Sequence, residues 1–108
     1  MITPKQIFKA IYKATGLTED VITSRSRKID VVYARMIIVY YMNIAIEEMN
    51  ITDKHECIGR IIKRDHSMVH HIISQLDHEL AHNKVFIGRF NRVTEYLKKT
   101  NNLSEINA

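Results

Sequence analysis

Residues that break regular structure are scarce in this chain: three glycines and one proline in 108 residues. So little turn material disfavours a domain of many short strands and favours long helices. The single cysteine, Cys57, excludes an internal disulfide and is compatible with a reducing cytoplasm. No run of about 18 or more uncharged apolar residues occurs, so no membrane-spanning helix is expected. The longest apolar stretch, Met36 to Met42, is far too short. The N-terminus, Met1-Ile-Thr-Pro-Lys, lacks the basic-then-apolar layout of a secretion signal. The glycines, at 16, 59 and 88, cannot form a Gly-rich Lys-Ser/Thr phosphate loop, so no nucleotide is expected as a ligand. A nucleophile elbow, paired catalytic carboxylates and a Cys-His signature are all missing, and an enzyme is not expected.

What remains is enough for a core. Hydrophobic residues make up 45% of the chain, an ordinary share for a globular protein. One domain over 1–108 is expected, without repeats or low-complexity segments. Lys and Arg number 16 against 12 Asp and Glu, a formal net charge of +4. Many soluble domains carry such a surplus, so its placement matters more than its total.

Apolar spacing predicts helices throughout. Over 4–15, Pro4 suits an opening turn, Gly16 suits the position past the end, and Ile7, Phe8, Ile11 and Ala14 form one stripe. Lys5, Lys9 and Lys13 line another face. Thr18 caps a short helix opening with Glu19 and Asp20. Residues 24–30 form a polar, basic connector. A long helix is expected from about Asp30 to Met49, with Val31, Ala34, Ile38, Met42, Ala45 and Met49 in its most regular stripe. Met36 to Tyr41 is rich in strand-favouring side chains, but the helical stripe continues on both sides of it. A turn at 50–53, with Thr52 or Asp53 as cap, leads to a helix ending near Ile62. After Lys63-Arg64, a helix from Asp65 to about His82 shows Val69, Ile72, Ile73, Leu76 and Leu80 on one face. A last helix, about 84–99, turns Val85, Phe86, Phe90, Val93 and Leu97 inward, and the polar residues 100–108 are expected to fray.

Two cation clusters stand beside helix ends: Arg25, Arg27 and Lys28, then Arg60, Lys63 and Arg64. The second precedes a helix opening with Asp65, His66, Ser67 and Met68. A short helix, a tight turn and a helix with a short polar N-terminus are the layout of a helix-turn-helix, whose second helix enters the major groove. Cations on the connector can reach phosphates, and short polar side chains can bond base edges. Solvated charge is the plainer reading of both clusters.

The stretch Ile58-Gly59-Arg60-Ile61-Ile62-Lys63-Arg64-Asp65-His66-Ser67-Met68-Val69 resembles a family signature of Ile-Gly followed by Arg/Lys-Asp-His-Thr/Ser-Thr-Val. Ser24-Arg25-Ser26-Arg27 and Ala34-Arg35 resemble the same family's basic loop and the Pro-Arg opening its long helix. From about Arg25 to Leu76 the sequence is thus similar to the C-terminal DNA-binding domain of the bacterial replication initiator DnaA. The resemblance implies an all-α fold of about six helices around a helix-turn-helix, comparable to DnaA domain IV or Trp repressor, with a core at 25–82 and an extra helix at 84–99. It implies double-stranded DNA as partner, a monomer, replication proteins as further partners, and a cytoplasmic, nucleoid-associated site of action. By the same resemblance Arg27, with Arg25 beside it, probes the minor groove, Arg35 reads bases in the major groove, and Asp65, His66, Ser67 and Met68 contact bases and backbone. Lys28, Lys63 and Arg64 then supply phosphate contacts.

The sequence departs from the family pattern at several points. Met68 replaces a second threonine, Lys63 a pair of small residues, Asn43 a common lysine that would join the DNA contacts, and Ala34 a common proline. The segment 47–55 is longer than usual. DnaA carries an ATP-binding domain, and with no phosphate loop this chain is expected to be a stand-alone DNA reader of a kind that a phage or mobile element would encode. The rival function is a protein-interaction adaptor with only vestigial or non-specific DNA binding. His66 and His70, and His78 and His82, have a spacing that suits a metal, yet no Cys or carboxylate completes a set, so no metal or other cofactor is expected. Cys57 reads as a small core residue, and Tyr33, Tyr40 and Tyr41 as half-buried rings with wet hydroxyls.

Overall fold

A computed structural model describes residues 2–101. Among these are six helices and no strand: α1 (Pro4–Thr15), α2 (Glu19–Ile22), α3 (Ile29–Ala45), α4 (Ile51–Ile62), α5 (His66–His82) and α6 (Lys84–Asn101). The all-α expectation is met, and the helix starts follow from local chemistry. Thr3 and Gln6 form a reciprocal capping box ahead of Pro4, and Gly16 ends α1 in the left-handed region at φ 81°. Thr18 caps α2 by accepting from the Val21 amide.

Helix α3 is the spine of the domain and touches every other helix. Its sides are buried nearly all round, by Val31, Ala34, Met36, Ile37, Ile38, Val39, Tyr41 and Met42. That explains why its sequence is apolar without a clean stripe. Around the spine, helices α1 and α6 pack together, α4 and α5 pack as a pair, and α5 also meets α6. Ile58, Ile62, Val69, Ile72 and Leu76 fill the α4–α5 seam.

Several expectations need correction. Helix α3 ends at Ala45 rather than Met49, and Met49 is 41% exposed. Glu47 and Glu48 follow that end, where negative charge opposes the helix dipole. Asn50, not Thr52 or Asp53, caps α4: its Oδ1 accepts from the Asp53 amide and its Nδ2 donates to the Asp53 carboxylate. Val85 points outward at 57% exposure while Phe86 is fully buried. Ile73 and Leu80 are half-buried, as is Cys57, which lies at the edge of the core. Tyr41 is buried, with its hydroxyl bonded to the Thr94 hydroxyl; burial first, and Tyr40 beside it, push it up to about 12. The expected frayed tail lies outside the described residues beyond Asn101.

Candidate nucleic-acid interface

The segment between α2 and α3 alternates serine and arginine, and its backbone uses the alternation. The Ser24 hydroxyl donates to the Val21 carbonyl at 2.6 Å and accepts from the Ser26 amide at 3.2 Å. The Ser26 hydroxyl accepts from the Lys28 amide at 3.3 Å. These serine turns hold Ser24 and Ser26 half-buried, while Arg25, Arg27 and Lys28 stand exposed. The loop therefore presents its cations outward by construction.

The turn between α4 and α5 consists of Lys63 and Arg64, with Asp65 capping α5. Lys63 has φ 57°, the left-handed region that a non-glycine residue enters at a cost of about 1–2 kcal/mol. The Arg64 amide then returns to the Gly59 carbonyl at 2.8 Å. The Asp65 Oδ1 accepts from the Met68 amide at 3.0 Å and from the Ser67 hydroxyl at 2.6 Å. The Ser67 hydroxyl, then the Met68 amide, hold the Asp65 carboxyl below its usual range, so it is ionised at neutral pH. Asp65 is thus both the cap of α5 and a candidate contact, and Oδ1 makes both of its internal bonds.

Loop and turn lie side by side. Arg25, Arg27, Lys63, Arg64, Asp65 and Met68 line one open concavity, together with Arg35, His71 and Gln75. His66 and Arg60 border a second, more open hollow that shares Lys63, Arg64 and Asp65 with the first, and the exposed Ser67 lines neither. His71 and Gln75 were missed from the sequence, although they follow Met68 by three and seven positions and so share its helix face. Lys28 is exposed at the cap position of α3 and Asn43 is half-buried two turns beyond Arg35; neither lines the concavity.

Arg35 departs most from expectation. It is 7% exposed, its Nε donates to the Ile22 carbonyl at 2.8 Å, and one terminal nitrogen donates to the Ser24 carbonyl at 2.6 Å. Its place on an all-round apolar helix puts it beneath the loop, at the floor of the concavity. Burial, and then the charge of Arg64, lower its pKa; an arginine nonetheless stays protonated.

Residues 4–76, about two thirds of the chain, match the bacterial DnaA protein helix-turn-helix family. The chain belongs to that family. It is a DnaA-like, all-α, DNA-binding helix-turn-helix domain, and the match takes in α1 and α2 as well as the motif-bearing stretch from Arg25. Only α6 and the end of α5 fall beyond the DnaA match. Comparison with curated proteins and with solved structures finds no significant match. No described helix is long and apolar enough to cross a membrane. Among the described residues no three His, Cys, Asp or Glu side chains converge as a metal set would require.

One histidine of α4 is buried. His55 of α4 is 8% exposed, and its ring centroid lies 5.5 Å from that of His70 on α5. Burial first, then the charges of His70, Lys54 and His66, lower its pKa from the ordinary value. The fold therefore disfavours its protonated form. The stability that neutral His55 contributes is present above the unfolded value of about 6.5 and is lost as pH falls through the lower folded value. The melting temperature is expected to drop more between pH 7.5 and 5.5 in the wild type than in His55→Gln. Equal drops in the two proteins would rule out His55 as the group responsible.

Proposed function

We propose that this domain binds double-stranded DNA with sequence preference as a monomer, at sites resembling those of DnaA. The observation that carries the reading is the convergence of Arg25 and Arg27 with Lys63, Arg64, Asp65 and Met68 on one concave face. A helix N-terminus rimmed by cations suits the major groove, with Lys63 and Lys28 on flanking phosphates. Arg25 and Arg27 fit the adjacent minor groove, where a narrow A·T tract attracts arginine. His66, Ser67 and Asp65 are the base-edge candidates, and the 43%-exposed Met68 is suited to a thymine methyl. Asn43 is the weakest candidate, standing at the far end of α3. We infer further that it acts in replication or its control, in the cytoplasm and at the nucleoid, with replication proteins as further partners.

Selection from random duplexes followed by fluorescence anisotropy tests this. His66→Ala is expected to cost about 1–3 kcal/mol on the selected site and far less on a scrambled one. Lys63→Gly relieves the left-handed strain at that position, so the fold is not weakened by it. It is nevertheless expected to weaken binding to all duplexes about equally and to lower the salt slope by about one unit. Wild-type protein that bound selected and scrambled duplexes alike would favour the adaptor reading instead.

A further inference from the structure

Two guanidinium groups share one carbonyl. The Ser24 oxygen accepts from Arg35 at 2.6 Å and from Arg64 at 2.5 Å. Each arginine also holds a second carbonyl: Arg35 that of Ile22 at 2.8 Å, and Arg64 that of Lys63 at 2.9 Å. Arg35 thus ties the end of α2 to the basic loop, and Arg64 ties the helix-turn-helix turn to the same point of the loop. Like charges repel, yet a carbonyl has two lone pairs, and a planar fork suits this two-point hold. Arg35 holds both bonds from a position that is 7% exposed, so little of it reaches the concavity it borders.

We propose that Arg35 and Arg64 are positioning residues that clamp the Ser24 carbonyl, presetting the spacing between basic loop and recognition turn, and that Arg35 does not read bases. The proposal rests on the DNA-binding reading. A protein that enters two adjacent grooves must match their separation, and a loop already fixed there escapes the cost of ordering on binding. The clamp also gives the Arg-Asp stretch of the motif a task before any DNA arrives.

The test uses the full chain, with the arginine side chains followed by NMR and the selected duplex as probe. The Arg35 Nε–H is expected to exchange slowly with solvent in the free protein and to keep its position when DNA is added. Rapid exchange in the free protein overturns the clamp. Movement of that signal onto a base contact overturns the positioning role. Arg64→Lys keeps the charge but loses the fork, so the salt slope should hold while the A·T preference at the minor-groove position falls by about threefold or more, as for coupled neighbours. In an Arg27→Ala background the same change should have little effect, because the loop no longer carries the arginine being positioned. Effects of Arg64→Lys and Arg27→Ala that simply multiply would assign Arg64 an independent phosphate contact and refute the coupling. If Arg64→Lys does not fold, the Arg35 signal in wild-type protein decides alone. If the wild type binds no duplex, the DNA-binding reading fails, while the free-protein exchange still judges the clamp.

Discussion

Gly59→Ala is expected to dismantle the helix-turn-helix. A Cβ built on Gly59 would lie 2.4 Å from the backbone oxygen of Arg64, well inside any tolerated contact. That oxygen cannot swing aside as a side-chain end could. It belongs to the peptide leading into Asp65, the cap of α5, and the Arg64 amide is itself bonded to the Gly59 carbonyl. Moving it shifts the cap, the first turn of α5 and the Arg64 side chain together. Overpacking typically costs about 1–3 kcal/mol, and a clash with backbone belongs at or above the top of that range. Urea unfolding should register this loss, and anisotropy should show DNA affinity falling with it. Gly88→Ala is the control: nothing lies within 4 Å of its Cβ, and alanine in an exposed helix is expected to add about 0.5–1 kcal/mol. A Gly59→Ala protein as stable as wild type would mean that α4 and α5 are not packed this closely.

Phe86→Ala is expected to cost about 3–5 kcal/mol, the usual range for emptying a buried aromatic site. Phe86 is fully buried, with ring centroids 5.3 Å from Tyr33 and 6.1 Å from Phe90. Val93 and Leu97 on the same helix are also fully buried. A domain of this size loses roughly 4–8 °C of melting temperature per kcal/mol, so the shift should be tens of degrees. Phe90, only half-buried, should lose less when replaced by alanine. A loss below about 1 kcal/mol would show that α6, although packed on α1, is an appendage and not a wall of the core.

The ends of α1 were legible because Pro4 and Gly16 mark them and the apolar spacing between them is regular. The helix-turn-helix was legible from Gly59 and the run Arg64 to Ser67. The C-terminus of α3 was not, because Ala45 and Met49 continue the stripe by coincidence, while the helix ends on Ile46, a residue type that carries no stop signal, before Asn50 caps the next helix. The orientation of Arg35 was equally hidden. On a helix buried all round, spacing cannot say whether a lone arginine faces a groove or passes beneath a loop, and its partners are backbone carbonyls that any sequence would supply. Val85 and Phe86 are adjacent and both apolar, so spacing alone did not separate them; the face that α6 turns to the core is Phe86, Val93 and Leu97, and Val85 falls outside it. The sequence showed residues 24–30 only as a polar, basic connector, and not that the hydroxyls of Ser24 and Ser26 bond the backbone of the loop that carries the arginines.

The pairing of α1 with α6 bears on the order in which the molecule assembles. The segment from 16 to 83 lies between them, and joining such distant parts must meet the loop-closure entropy before any contact rewards it. Helices α4 and α5 face no such delay, since a two-residue turn joins them. The half that carries the recognition turn can therefore take shape while the chain is still being made. The apolar face of α1, with Ile7, Phe8 and Ile11, is made before α6, so the part that α6 covers waits until α6 has left the ribosome.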